Sequence, residues 1–350
     1  MGNGTAPGHL AQRGAGGILT AQDEAKRHSL LDGVVVDRPS RAAMLMVGAL
    51  FLLGFQDSIV KLVSGELSLW QFQTIRAALN LTLLYLVTRL AWGTRPPAPK
   101  RLWAVALRSL FLVGAMVFFF GGIPFLNLSD IAAGLYVFPL FVAVLSAALL
   151  GERVGPRRVA AILVGFSGTL LILKPGTDAF RAVSLMPIGA ALCYAGTILT
   201  TRRLCRGESP VTLSFGVAVA FMLVGVAGVA TFAIATDFPL ATDWPYLFTG
   251  WHDIGLPVLG LIATCSVLNL VANIALSRAY QSAEASWLAP FDYSYIVFAT
   301  FWGFVFWRHV PDGLTLLGMA MIAGAGVFVA WRESVAEKRA EVSVVETPGR

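Results

Sequence analysis

Ten apolar stretches joined by short loops dictate what this chain can become: residues 43–63, 70–89, 103–122, 130–150, 157–174, 185–204, 211–235, 255–276, 283–306 and 313–331. Stretches of this length and hydropathy match the hydrocarbon thickness of a bilayer. Lipid offers no partner for a backbone N–H or C=O, so each must close its hydrogen bonds internally as a helix. Charged residues make up 13% of the chain, about half the share of a water-soluble domain. The reading is an all-α, multi-pass membrane protein.

Flanking charges set the orientation. With both termini in the cytoplasm and ten crossings, 21 of the 26 Lys and Arg fall on the cytoplasmic side, in the two tails, in or beside "TRPPAPKR", "GERVGPRR" and "TRRLCR", and at Arg278. Lys174, Arg181 and Arg308 fall outside, and Lys61 and Arg76 lie within segments. Cytoplasmic loops collect Lys and Arg, so the opposite orientation is disfavoured. The net charge of +6 therefore reports topology and implies no nucleic-acid partner. The longest loop, 236–254, carries Trp and Tyr suited to a membrane interface.

The chain repeats itself. "LYVFPLFVAVLSAALLGERVGPRRVAAILVGFSGTLLILK" and "LAPFDYSYIVFATFWGFVFWRHVPDGLTLLGMAMIAGAGVFVAWR" each hold a proline within a helix, a short turn and a last helix with spaced glycines. Aligning the turns offsets the copies by about 157 residues, whereas aligning Pro139 with Pro290 offsets them by 151. A repeat of five helices must insert upside down in its second copy, a device of transporters. The expected organisation is a cytoplasmic tail without regular structure (1–41), a first repeat (42–175), a second repeat (183–332) and a charged cytoplasmic tail (333–350). That is ten transmembrane helices in two five-helix inverted-topology repeats.

Charges at membrane depth cost about 2.5–3.5 kcal/mol each on insertion scales, and so face partners or cavities. In "FQDSIVKL", Asp57 and Lys61 lie one helical turn apart on one face and can neutralise each other. Arg76 enters from the same side, so the three can form a cluster: a substrate or proton site, or an ion pair near the surface with Lys61 reaching to water. Asn269 and Asn273, beside Ser266, line a cavity or bond neighbouring helices. Pro290, Asp292, Tyr293 and Tyr295 make a kinked polar wall or an interfacial anchor, with Tyr136 and Pro139 as their first-repeat counterpart. Gly165, Gly168, Gly318 and Gly324 permit close helix packing.

Other chemistries lack their parts. "SIVK" and "GFSG" resemble nucleophile motifs, but His9, His28, His252 and His309 all lie in tails or loops, leaving no general base at membrane depth. Cys193, Cys205 and Cys265 form no CxxC pair, and no phosphate loop or metal-ligand cluster occurs. No cofactor or resident metal is expected. A channel, a sensor and, more remotely, an intramembrane enzyme are the alternatives to a transporter.

"PLFVAVLSAALLGERVGPRRVAAILVGFSGTLLILKPG", "AYQSAEASWLAPFDYSYIVFATFWGFVF" and "QFQTIRA" resemble the repeat ends and the first-repeat opening of the EamA-like branch of the drug/metabolite transporter superfamily. The resemblance covers about residues 42–333. It implies a secondary transporter of the bacterial inner membrane that carries a small polar or amphiphilic metabolite by alternating access, its helices surrounding a central cavity. Members handle amino acids and their derivatives, riboflavin, S-adenosylmethionine or metallophores, by import or export. The implied partners are that substrate and the lipid bilayer, with protons a candidate coupling ion and a homodimer a candidate assembly. Where members often carry Glu before the last helix, this chain has Arg308–His309. By polarity and depth, the expected cavity residues are Asp57, Lys61, Arg76, Tyr136, Asn269, Asn273, Asp292 and Tyr293.

Overall fold

The computed structural model describes residues 39–92, 98–150, 156–174, 181–234, 239–282 and 285–345. The described residues form thirteen α-helices and two short 3-10 turns, with no strand. The described residues belong to one compact unit. The 1–41 tail up to residue 38 lies outside the described residues.

The helices are α1 (Pro39–Val63), α2 (Leu69–Trp92), α3 (Leu102–Gly122), α4 (Leu128–Leu135), α5 (Phe138–Leu150), α6 (Pro156–Leu173), α7 (Met186–Leu204), α8 (Pro210–Ile234), α9 (Pro245–Phe248), α10 (Leu256–Ser282), α11 (Ala285–Asp292), α12 (Ser294–Trp307) and α13 (Gly313–Val345). Among the described residues, six stretches are long and apolar enough to cross a membrane: Ser40–Val63, Leu102–Gly122, Leu128–Leu149, Ala182–Leu204, Pro210–Ile234 and Leu256–Tyr280. Large apolar side chains such as Leu110, Leu163, Leu223 and Val297 stay exposed on the outer faces. In water such a surface would drive aggregation; in lipid it is solvated.

Polar residues at the loops start the helices. Ser68 Oγ accepts the Gln71 N–H at 3.1 Å and caps α2. Ser209 Oγ takes the Val211 N–H at 3.2 Å, just before Pro210 opens α8. The Glu208 carboxylate, from the turn before α8, receives the Lys100 and Arg101 N–H groups at 3.1 and 2.7 Å. It thus places a negative charge at the positive end of α3.

Two segments read as single kinked helices are interrupted. The first breaks at Tyr136–Val137 between α4 and α5, and the second at Tyr293 between α11 and α12. Neither break falls at its proline. Pro139 sits in the first turn of α5, where its missing N–H has no partner to lose. Pro290 lies inside α11, before the break. The last helix continues to Val345, well past the apolar stretch that ends at 331 and into the charged segment read as a tail.

The helices pack across the middle of the sequence. α1 lies on α10 and α12, α2 on α8, α3 on α7, α6 on α13, and α7 on α4 and α5. The backbones of α6 and α13 approach closely at a pair of glycines. A Cβ on Gly168 would sit 2.7 Å from the Gly318 carbonyl, and one on Gly318 2.5 Å from the Gly168 carbonyl. The absence of side chains there sets the helix separation.

Candidate functional site

α1 carries Gln56 and Asp57 inward, 2% and 5% exposed. The anticipated Asp57–Lys61 pair does not form. The Tyr295 hydroxyl, from α12, donates to Asp57 Oδ2 at 2.5 Å, and Gln56 Nε2 reaches Oδ1 at 3.3 Å. Lys61 turns away. Its ammonium donates to the Leu126 carbonyl at 2.5 Å, lies 5.2 Å from the centre of the Trp307 ring, and feels Asp130. An i,i+4 spacing allows a pair, but each group found a better fixed partner from elsewhere in the fold.

Arg76 faces the same interior from α2, within Coulombic reach of Asp57, Tyr246 and Cys265. Its guanidinium carbon lies 4.6 Å from the Phe120 ring centre, 5.2 Å from Phe72 and 5.6 Å from Phe221. Aromatic faces stabilise a cation there while excluding water. Yet Arg76 Nη1 is buried without a hydrogen-bond partner, and so are both amide atoms of Gln73, Gln56 Oε1, Tyr246 Oη and Ser266 Oγ. Each such orphan costs about 1–3 kcal/mol, and more where charged, unless a water or ligand meets it.

The position of Tyr246 is fixed by its loop. Gln71 Nε2 donates to the His252 carbonyl at 2.7 Å and Gln71 Oε1 accepts the His252 N–H at 3.0 Å. Trp70 Nε1 donates to the Leu247 carbonyl at 2.7 Å. α2 thereby holds the segment containing α9 at two points that follow Tyr246, Leu247 and His252.

A tyrosine path leads from Asp57 to the interrupted helices. Tyr295 stacks on Tyr136 at 5.4 Å and 18°, and Tyr136 meets Tyr293 edge to face at 5.3 Å. The Tyr136 hydroxyl donates to Asp292 Oδ1 at 3.4 Å. Two intramembrane carboxylates, each on its own phenol, are thus joined by one stacked pair.

Of the residues expected from sequence, the structure brings Asp57 and Arg76 into one cluster and Tyr136, Asp292 and Tyr293 into the adjoining one. Asn273 lies on an exposed part of α10 and donates to the Asn269 carbonyl at 2.8 Å, one turn back. Asn269 is half-buried. Gln56, Gln73 and Tyr246 were not anticipated. Their signal was an amide or phenol embedded in apolar sequence, as in "FQDS" and "QFQTIR".

The open cavity lies elsewhere. About 340 Å³ opens at one end of the bundle, lined by Leu126, Asn127, Asp130, Lys174, His309 and Asp312 among others. Lys174 and Asp312 form an ion pair across it. The Lys174 ammonium, and then the Thr315 N–H, pull the Asp312 carboxyl from 3.8 to about 2. Lys61 fastens the Leu126 wall of this vestibule. The Arg76 cluster lies deeper, among packed side chains.

Apolar helices with lipid-facing exteriors, enclosing charged and unpartnered polar groups, define a multi-pass membrane protein whose chemistry is internal. Residues 40–174 match the model of the EamA-like transporter family. A riboflavin transporter of Rhizobium johnstonii is 30% identical over 203 residues, 57% of this chain and 61% of that protein. The match therefore spans less than two thirds of that relative's length. A pseudopaline exporter of Pseudomonas aeruginosa is 28% identical over 300 residues, covering 83% of this chain and 96% of the exporter. An S-adenosylmethionine uptake transporter of Rickettsia felis is 24% identical over 233 residues, 67% of this chain and 73% of its own. One solved crystal structure superposes with a TM-score of 0.54 at 19% identity, covering 84% of this chain and 98% of the other, a likeness of fold.

Proposed function

We propose that the chain is a secondary transporter that carries a small polar or amphiphilic metabolite across the cytoplasmic membrane by alternating access. The observation that carries this reading is the enclosed cluster of Asp57, Arg76 and unpartnered polar atoms on α1, α2, α9 and α10, with Tyr295 of α12. Ionisable groups at membrane depth are costly and mark pathways. Here both halves of the sequence supply them, so a movement of one half against the other would remake the site.

Ten crossings in two inverted repeats, with both termini cytoplasmic, complete the reading. The packing supports it. Exchanging the halves turns α1–α10 into α7–α3, and α1–α12 into α7–α5, each a packed pair. α2–α8 and α6–α13 map onto themselves. The interruptions at Tyr136 and Tyr293 are 157 residues apart, the offset that aligns the turns, and the two rings touch.

The test is counterflow in proteoliposomes. The panel is riboflavin, S-adenosylmethionine, amino acids, nucleosides and dicarboxylates, the relatives' cargo among them. Saturable uptake accelerated by substrate on the far side is expected. Non-saturable flux would make the protein a channel, and binding without flux a sensor. Cysteines placed at each terminus, labelled from one side only, test the orientation.

A further inference from the structure

Among the described residues, Arg76 is the buried charge that bears an unmet hydrogen-bonding group. The side chain is 5% exposed, and its Nη1 meets no acceptor. The rings of Phe72, Phe120 and Phe221 close around it and supply none. Asp57 does not answer it directly, because its oxygens are taken up by Tyr295 and Gln56. One turn earlier on the same helix, Gln73 has both its donor and its acceptor unmet at 2% exposure, and Tyr246 presents a third orphan within Coulombic reach of Arg76.

A purely structural arginine would be paired, because an unpaired buried charge is among the costliest defects a fold can carry. A guanidinium edge approached between aromatic faces suits a planar oxyanion, which it binds with charge and geometry together. The adjacent amide, able to give and to take, suits a neighbouring polar group on the same molecule.

We propose that Arg76 is the oxyanion-binding pole of the transport site. The substrate is then an organic anion or zwitterion whose carboxylate or phosphate seats on the guanidinium, while Gln73 and Tyr246 bond the groups beside it. This rests on the transporter reading above and narrows its substrate class.

The test uses the full chain in detergent and probes paired by the presence or absence of anionic groups. Riboflavin 5′-phosphate is set against riboflavin for the phosphate arm, and S-adenosylmethionine against its decarboxylated form for the carboxylate arm. A dicarboxylate is set against its diamide as a second carboxylate pair. Binding to the folded state raises the melting temperature, and calorimetry gives Kd. In at least one pair the anionic member binds tenfold or more tighter. In Arg76→Gln that advantage disappears, the anionic member weakening tenfold or more toward the Kd of its partner. Gln73→Glu, which leaves Arg76 in place, also weakens the anionic member tenfold by repulsion, so the outcome does not hang on one variant's folding.

Equal binding within every pair, no binding by any anion, or full discrimination retained in Arg76→Gln would each overturn the assignment. Counterflow separates it from the broader reading. Saturable exchange of neutral probes, unaffected by Arg76→Gln, sinks the oxyanion site and leaves the transporter standing. Anions bound through Arg76 but never exchanged do the reverse.

Discussion

The Tyr295 hydroxyl and the Asp57 carboxylate are joined by a 2.5 Å hydrogen bond that spans 238 residues of sequence. It ties α1 in the first half to α12 in the second, immediately after an interrupted helix. Under the transport mechanism proposed above, a carboxylate held between the halves would link its charge to their movement.

Asp57→Asn is expected to insert and fold, since an amide can still accept from Tyr295, but to lose any dependence of transport on a pH gradient. Tyr295→Phe removes a hydrogen bond to a carboxylate, an interaction of about 1.5–3 kcal/mol. It should lower the melting temperature and slow transport less than Asp57→Asn. Proteoliposome flux at two gradients checks both variants. Unchanged gradient dependence in Asp57→Asn would remove Asp57 from coupling.

Helix positions were legible because hydropathy alone sets them. The stretches 157–174 and 185–204 become Pro156–Leu173 and Met186–Leu204. What a helix touches was not. Asp57 and Lys61 share a face, so a local pair was the economical reading, yet their partners arrive from Tyr295 and Leu126. The prolines announced distortions, but the interruptions sit at Tyr136–Val137 and Tyr293, where the tyrosines pack on each other. Gln73 is one polar letter in an apolar helix. Its interest appears only when packing leaves both its amide atoms unmet. The 340 Å³ vestibule, formed where several loops converge, had no signature along the chain at all.

Glycine spacing alone did not say which glycines matter, and the structure separates them. Gly168→Ala and Gly318→Ala each drive a methyl against a facing carbonyl, at 2.7 and 2.5 Å. Backbone cannot swing aside, so α6 and α13 must part. Overpacking of this kind costs about 1–3 kcal/mol. Gly324→Ala meets nothing within 4 Å and should be neutral. Melting temperatures of the three variants in one detergent give the comparison. Equal gains in all three would mean that helix propensity, which favours Ala over Gly, and not the crossing, governs these positions.

Gln71 is fully buried and spends both ends of its amide on the His252 backbone. Gln71→Leu keeps the bulk and strands the half-buried His252 carbonyl and N–H, at up to about 1–3 kcal/mol for each group left unmet. The segment bearing Tyr246 should loosen, so limited proteolysis within 236–254 should accelerate while cleavage elsewhere stays constant. Should the site depend on Tyr246, ligand affinity falls with it. An unchanged digestion pattern would show that Trp70 and Leu247 hold the segment alone.

Asp312 does two jobs at the start of α13. Its Oδ1 accepts the Thr315 N–H at 2.9 Å as an N-cap, and its other oxygen pairs with Lys174 at the end of α6. The carboxyl is held at about 2 rather than 3.8. A depressed folded value stabilises above the unfolded one, so the contribution is complete above about pH 4 and is lost as pH falls toward about 2. The side chain is 56% exposed, so the pair itself is worth at most about 1 kcal/mol. Asp312→Asn keeps an acceptor for the cap and loses only the charge. Its small deficit at neutral pH should be screened by salt and should shrink between about pH 4 and about pH 2. Asp312→Ala also loses the cap, adding about 0.5–2 kcal/mol that persists at every pH. Unfolding midpoints of the two variants across that pH range separate the jobs. A deficit in Asp312→Asn that does not shrink with acid would place its origin in packing and not in charge.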